Sequence, residues 1–355
     1  MKKYKVIVLG TGNVSSYAVR ALSARKDMEI AGVWTTEFSK DDIGKDAGTL
    51  RYCDGNPIGV TVTGNLDELI ALKPDAAMMG LNGPDLEGLG VPVAVKLLKA
   101  GINVVGTTLL RLMWPETCVF QNYVQEIKAA CEEGQSTFFV SGNHPGFACD
   151  FLPTAILTAA NKIESINAVE IMNYSLAPNE FEMKEGRGFG MPVEYKALSE
   201  NPDFIKMTWG PCVDYIAAAL GYRCEDYTTS YDKAVTDHDV QVAYGTIPAG
   251  TVAAVRLTVT GIINGKPAIT VGAVNRMSED CALDWQRGTK PGIYYVTITG
   301  EPSMSLEYSY DMSVAYGYSI VACRALNAIP AVCAAAPGMV SSQDLPFTVP
   351  TDALC

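Results

Sequence analysis

The stretch SGNHPGFACDFLP, residues 141–153, holds His144, one of only two histidines in a chain of 355 residues. An imidazole changes charge near neutrality, so His144 at the end of the apolar run Phe138-Phe139-Val140 is placed to give a proton to a developing alkoxide. The competing role is purely local: Pro145-Gly146 fixes a turn, and His144 caps or packs there. Tyr174, which follows a strand-like run, is a second candidate proton donor. Asp150 reads as a first-turn carboxylate that favours the dipole of the following helix. His238 sits in the polar segment TDHD and reads as exposed. No Ser/His/Asp constellation, no C-x-x-C pair and no metal-ligand spacing stands out.

A different chemistry begins at the N-terminus. VIVLGTGNVSS gives Gly10-x-Gly12-x-x-Ser15, with Thr11, Asn13 and Val14 completing the turn. Glycines at the first two places allow a tight turn and close approach of a pyrophosphate to a helix N-terminus, and serine is a small substitute at the third. A carboxylate at the end of the second strand would mark NAD. That place reads VWTTEFSK, where Thr35, Thr36, Ser39 and Lys40 suit a 2′-phosphate and Glu37 could reverse the choice. NADP(H) is favoured and NAD(H) stays possible. In a doubly wound sheet ligands sit outside the carboxyl ends of the strands, which adds Leu81, Asn82, Thr107 and Asn143 to the cofactor candidates.

These residues need elements to position them. Lys5–Leu9, MEIAGVWT, DAAMMGL, INVVGT and STFFVSG are apolar runs too continuous for one-sided strands. Helix-like segments at 66–72, 90–100 and 116–133 lie among them, and another follows at 147–160. That alternation predicts a parallel sheet covered on both faces. After about residue 150, INAVEIMNYS, TVAAVRLTVTGII, KPAITVGAVNRM and GIYYVTITGE read as strands without regular helices between them. Asn264-Gly265 signals a hairpin. A helix returns over 313–326, expected to pack on the first domain, and a proline-rich tail follows. The fold class is therefore α/β: an N-terminal Rossmann doubly wound sheet over 1–150, completed by 310–355. A second α+β domain over 151–309 carries an open, mostly antiparallel sheet.

Hydrophobic residues make up 48% and charged residues 19%, which indicates a folded chain with a large core. A net charge of −12 argues against nucleic acid and anionic membranes as partners. The opening MKKYKVIVLGTG is too short in its apolar part for a signal peptide, and no uninterrupted apolar run spans a bilayer. Ten scattered cysteines then read as reduced thiols, and the expected location is the cytoplasm.

Five motifs together resemble one family: GTGNV at the first turn, GKDAG at 44–48, AGINVVGTT at 100–108, HPGFACDFLP at 144–153 and NAIPAVCAAAPG at 327–338. The chain is similar to the dihydrodipicolinate reductase-like oxidoreductases, and most to the branch of 2,4-diaminopentanoate dehydrogenase and the native amine dehydrogenases. The resemblance implies a Rossmann domain, a second domain with an open sheet over the nicotinamide, homodimers, and hydride transfer to a C=N or C=O carbon. Two departures stand out. The His-His-x-x-Lys stretch of true dihydrodipicolinate reductases is missing. The glutamate that the amine-dehydrogenase branch carries shortly after NVV falls at or next to Leu110, with no acidic neighbour.

A leucine cannot move a proton, which promotes His144. Leu110, Leu112, Met113, Phe147, Phe189 and Met191 read as an apolar substrate pocket, and KEGRGFGMP at 184–192 reads as a lid over the nicotinamide. The resulting expectation is reduction of C=O in a largely apolar small molecule, an alicyclic or steroid-like ketone. The alternatives are an amine or imine substrate served by a different acid, and a nucleotide-sensing protein without turnover.

Overall fold

Apolar segments that hide both faces from water become interior parallel strands, and the first third of the chain is built from them. The computed structural model describes residues 3–81, 85–310, 314–351 and 353–354. It divides into one unit made of Met1–Asn143 with Ala315–Cys355 and another made of His144–Val314. The first unit opens with β1 (Tyr4–Leu9), α1 (Asn13–Ser23), β2 (Met28–Trp34), β3 (Val62–Thr63) and α2 (Leu66–Ala71). It continues through β4 (Ala76–Met79), α3 (Leu86–Lys99), β5 (Asn103–Gly106), α4 (Gln121–Gly134) and β6 (Thr137–Val140). Val6, Val8, Met78, Val105 and Phe139 pack with Ala18, Val19 and Leu22 of α1 on one face. Ile7, Leu9, Met79 and Val104 of the opposite parity are equally closed to solvent.

The second unit begins at His144, seven residues before the break read from the sequence. It holds α5 (Phe151–Leu157), β7 (Lys162–Asn173), α6 (Pro202–Ala219), β8 (Asp226–Val235), β9 (Val240–Val242) and β10 (Gly245–Ile247). Then come β11 (Val252–Ile263), β12 (Lys266–Arg276), β13 (Gly292–Glu301) and β14 (Met304–Ser309). Six strands form one sheet in the order β14-β13-β7-β12-β11-β8. Only β7 and β12 run parallel; the other neighbours are antiparallel. No helix is expected from the sequence where α6 lies, and Gly210-Pro211 falls in its interior. Asn201 caps α6 by accepting from the amides of Asp203 and Phe204, and Pro202 occupies its first position, where no amide is needed. The helix then buries Ile205, Trp209, Val213 and Ile216.

The chain returns to the first unit through α7 (Val314–Ala334) and β15 (Gly338–Val340). β15 completes a seven-stranded sheet, β15-β6-β5-β4-β1-β2-β3, parallel throughout. Read from sequence, α7 ends at Leu326; in the fold it runs on through Pro330. Its small and apolar residues Ala322, Ala325, Leu326, Ala328, Ile329 and Val332 fill the core above β1 and β4. Gly317–Ala334 is long and apolar enough to cross a membrane by length and composition, but here that stripe packs on the sheet. Two other helices are shorter than read. α4 starts five residues late because the Gln121 side chain donates to the carbonyls of Pro115 and Cys118, both at 2.8 Å, and closes a turn there. α5 covers half of the 147–160 segment.

The hairpin read at Asn264-Gly265 joins β11 to β12, with φ of +53° and +70°. Both amides donate to the Glu225 carboxylate at 3.0 Å. No atom stands where a Gly265 side chain would go, so only the left-handed backbone demands glycine. Gly265→Val is expected to cost about 1–2 kcal/mol, read as a lowered urea midpoint. An unchanged midpoint would show that the turn does not need this conformation.

Candidate active site

In the first unit the glycine turn is built by close packing. Gly10 has φ +101°, and a Cβ on it would stand 2.8 Å from the Gly80 carbonyl oxygen. Ser15 Oγ donates to the carbonyls of Leu9 and Gly80 at 3.1 and 3.0 Å, which pins the first turn of α1 to the ends of β1 and β4. Gly12 differs from Gly10. Its φ of −67° suits any residue, and a Cβ there meets nothing within 4 Å. Its glycine is therefore not demanded by the fold but leaves room outside it, over a helix N-terminus whose amides have no side-chain cap. These residues fit a dinucleotide pyrophosphate.

The remaining cofactor candidates sit around that turn. Thr11 and Thr35 are buried and their hydroxyls are 3.2 Å apart. Asn13 and Val14 begin α1, half-buried. Thr36 and Ser39 are half-buried and Lys40 is exposed, on a short 3-10 segment after β2. Leu81 is buried, its amide donating to Thr108 Oγ1 at 2.8 Å; Thr108 also donates to the Met79 carbonyl. Thr107, the candidate from the sequence, is half-buried, and the second threonine of GTT, Thr108, is the one that binds the strand ends together. Asn143 is buried at the end of the unit, and Asn82 lies outside the described residues. Asp42, like Thr108, is not among the candidates from the sequence. Burial works against its ionisation, but hydrogen bonds from Lys45 and Thr11 outweigh it and hold the carboxyl below its usual range.

Leu110 and Leu112 lie in a 3-10 turn after β5, Leu112 and Met113 buried and Leu110 half-buried. A carboxylate does reach this turn: Glu87, at the start of α3, contacts the Arg111 guanidinium at 3.3 Å. That pairing ties it down.

The second unit gathers polar chemistry inside an aromatic wall. His144 lies edge-on to Tyr294 with ring centroids 6.0 Å apart, and tilted against Trp209 at 6.2 Å. Tyr294 stacks on Tyr308, Tyr310 lies tilted against Tyr308, and Phe147 stands perpendicular to Tyr308. Both ring nitrogens of His144 and the indole nitrogen of Trp209 are shut from solvent without a hydrogen-bond partner among the described residues. Burial pushes the imidazole below its ordinary value, against the upward pull of Glu170 and Asp150. His144 is therefore a neutral imidazole at neutral pH, with one N–H and one lone pair unspent.

Glu170, in the C-terminal part of β7, is 5% exposed. It accepts hydrogen bonds from Tyr174 Oη at 3.0 Å, Asn275 Nδ2 at 2.9 Å and Tyr294 Oη at 3.0 Å. This corrects the reading of Tyr174 as a free proton donor. Its hydroxyl is committed to Glu170, and burial and that carboxylate's charge push its pKa far up. Arg187 covers the Tyr174 ring at 4.8 Å and donates to Asn275 Oδ1 at 2.7 Å. Asp150 is the N-cap of α5, where the amides of Gly146 and Phe151 donate to it at 2.6 Å, as its first-turn position implied.

Phe189 leaves the pocket. It is fully buried with Met183, Ile247 and Val252 in the core of the second unit, so 184–192 is a packed segment rather than an open lid. Met191 is half-buried and its carbonyl accepts from the Val252 amide at 3.0 Å. His238 is exposed, as read, between Asp237 and Asp280.

Residues 147–353 match the family model described as the 2,4-diaminopentanoate dehydrogenase C-terminal domain. The chain belongs to that family. An amine dehydrogenase of Streptomyces virginiae is 28% identical over 348 residues, 96% of each chain. The 2,4-diaminopentanoate dehydrogenase of Acetoanaerobium sticklandii is 26% identical over 354 residues, 98% of this chain and 94% of that one. The structure of an amine dehydrogenase from Mycobacterium smegmatis superposes with a TM-score of 0.77 at 19% identity, covering 98% and 97% of the two chains, which shows the shared fold. The protein is an oxidoreductase that uses a nicotinamide cofactor.

Gly12→Val is expected to leave the melting temperature near that of the wild type and to abolish NADH and NADPH binding, because the added side chain fills the phosphate place. Undiminished binding in a calorimetric titration would remove this turn from the cofactor site.

Proposed function

We propose that the enzyme is an NAD(P)-dependent amine dehydrogenase, interconverting an amine and the corresponding carbonyl compound plus ammonia. The observation that carries this reading is His144: a neutral imidazole with both nitrogens unspent, walled by aromatic faces, with the Glu170 and Asp150 carboxylates acting on it. Aromatic faces and carboxylates favour a cation, and a substrate ammonium is one. A ketone needs the opposite partner, an acid ready to protonate an alkoxide. Burial makes the imidazolium scarce at neutral pH. The names of the relatives support the amine as well, and none supports the steroid-like ketone expected from the sequence.

In the deaminating direction His144 accepts a proton from the substrate ammonium and leaves a neutral amine. Gly10, Gly12 and Ser15 would hold the pyrophosphate of the dinucleotide, whose nicotinamide would supply the hydride acceptor. The C–H bond breaks with its electron pair, and the substrate becomes an iminium. Tyr294, Tyr308 and Phe147 present the apolar faces against which the rest of the substrate lies. Water adds to the iminium carbon, its protons pass to the nitrogen, and the C–N bond breaks to release ammonium and leave the carbonyl product.

For the cofactor, Asp42 supports NAD(H) over the NADP(H) read from Lys40. A carboxylate bonded to Thr11 of the glycine turn disfavours a 2′-phosphate, whereas Lys40 is a solvated side chain. Asp42→Ala is expected to raise the preference for NADPH over NADH about tenfold, the equivalent of about 1.4 kcal/mol. An unchanged ratio would discard this assignment.

The function itself is tested by nicotinamide reduction with a panel of primary amines beside a panel of secondary alcohols. Turnover of amines is expected, with His144→Ala lowering it roughly 10²–10⁴-fold, the range for a positioned acid–base group, and with nucleotide affinity unchanged. Wild-type rates are expected to fall toward acid as the imidazole is protonated, below the ordinary histidine range because burial lowers it. Turnover of alcohols alone would return the ketone reading.

A further inference from the structure

A carboxylate buried inside a strand is costly, and a valine of similar shape would pack at the place of Glu170 without that cost. Glu170 faces the side of the sheet that carries Tyr294 and Tyr308, its partners along the row across β13 and β14. Among the described residues no cation pairs with it directly. Its three hydrogen bonds come from two tyrosines and an amide, and they divide between its oxygens. Tyr174 and Asn275 hold Oε1, and Tyr294 alone holds Oε2. Tyr294 is also the ring against which His144 lies edge-on.

We propose that Glu170 is a positioning residue for the reaction: through Tyr294 it fixes the wall that carries His144, and its charge stabilises the imidazolium formed when His144 takes the proton from a substrate ammonium. The proposal rests on the amine reading above and gives it the carboxylate that Leu110 fails to supply. No proton passes to Glu170. The N–H bond of the ammonium breaks and the N–H bond of the imidazolium forms, while Glu170 keeps its three hydrogen bonds. Tyr294 suits this part because burial and the charge of Glu170 push its hydroxyl far up, so it stays a donor throughout.

The groups acting on His144 come from every side. Glu170 on β7 and Asp150 before α5 pull its titration upward, and burial and Arg187 pull it down. Trp209 of α6 and Tyr294 of β13 contribute neutral rings. Cys149 and Cys212, buried beside Asp150, have thiol values pushed well up and stay uncharged. Asp150 is held by two backbone amides. Glu170 is the carboxylate whose position depends on a residue that touches His144.

With only two histidines in the chain, His144 can be watched without any substrate. The full-length protein labelled with ¹⁵N in its histidine rings, with His238→Asn to assign the two signals, gives its titration directly. Glu170→Gln is expected to move the His144 titration to lower pH by about one unit. It is also expected to lower kcat with amines at least tenfold, with nucleotide affinity unchanged. Glu170→Asp should recover part of both effects. Tyr294→Phe keeps the ring but frees Oε2, so it should move the titration the same way by less, and it serves if Glu170→Gln does not fold. A His144 titration unmoved in these folded variants overturns the proposal, including the case in which kcat falls, since that loss would then be structural. If the wild type oxidises no amine, the functional reading fails instead.

Discussion

The carboxylate of Glu170, buried inside β7, constrains much of the second unit. Removing an ion from water costs several kcal/mol even after relaxation, so the fold has to return hydrogen bonds to it. It does so with Tyr174, Asn275 and Tyr294, from the end of β7 and the two strands flanking it. Each donor brings a further requirement. Asn275 must also accept from Arg187, and Arg187 must lie over the Tyr174 ring. Tyr294 must hold its ring where His144 and Tyr308 meet it. The aromatic wall and the polar network are thus one structure, and the parallel pairing of β7 with β12 sets Asn275 beside the carboxylate.

The first unit rests on a different constraint, the closeness of backbones. Gly10, Gly80 and Ser15 meet at distances that exclude larger side chains, whereas Gly12 faces open space. That contrast separates a glycine kept for folding from one kept for a ligand, which the sequence pattern alone treats alike. The neighbouring Asp42 shows the same limit. It lies well past the end of β2 in sequence, and the 3-10 segment between them folds it back to Thr11.

How far the sequence could be read follows from the range of each signal. The glycine turn, the parallel strands and the Asn264-Gly265 hairpin depend on neighbours a few residues away, and they were legible. The helix α6 was not, because Gly210 and Pro211 look like a break, yet packing on β11 and β12 outweighs one lost hydrogen bond. Proline misled in the same way at Pro330 in α7. Glu170 in VEIMN looked like an ordinary polar position of an alternating strand. Its three partners are 4, 105 and 124 residues away, and nothing local announces them. Phe189 failed in the other direction: glycines on both sides suggested a mobile loop, but the ring is buried in the core.

The turn at Leu110, where the resemblance would place a glutamate, suits an apolar side chain. The 3-10 turn after β5 packs Leu112 and Met113 out of water and leaves its nearby carboxylate, Glu87, bound to Arg111. An ionised acid added at Leu110 would meet apolar neighbours and that occupied guanidinium, so its charge would be poorly supported. A neutral imidazole costs less to bury than a carboxylate, because it carries no charge until it takes a proton. His144 therefore suits a closed, aromatic surrounding that a lone glutamate would not. The buried carboxylate is instead Glu170, inside the second sheet, where two of its three donors, Asn275 and Tyr294, are fixed by the neighbouring strands.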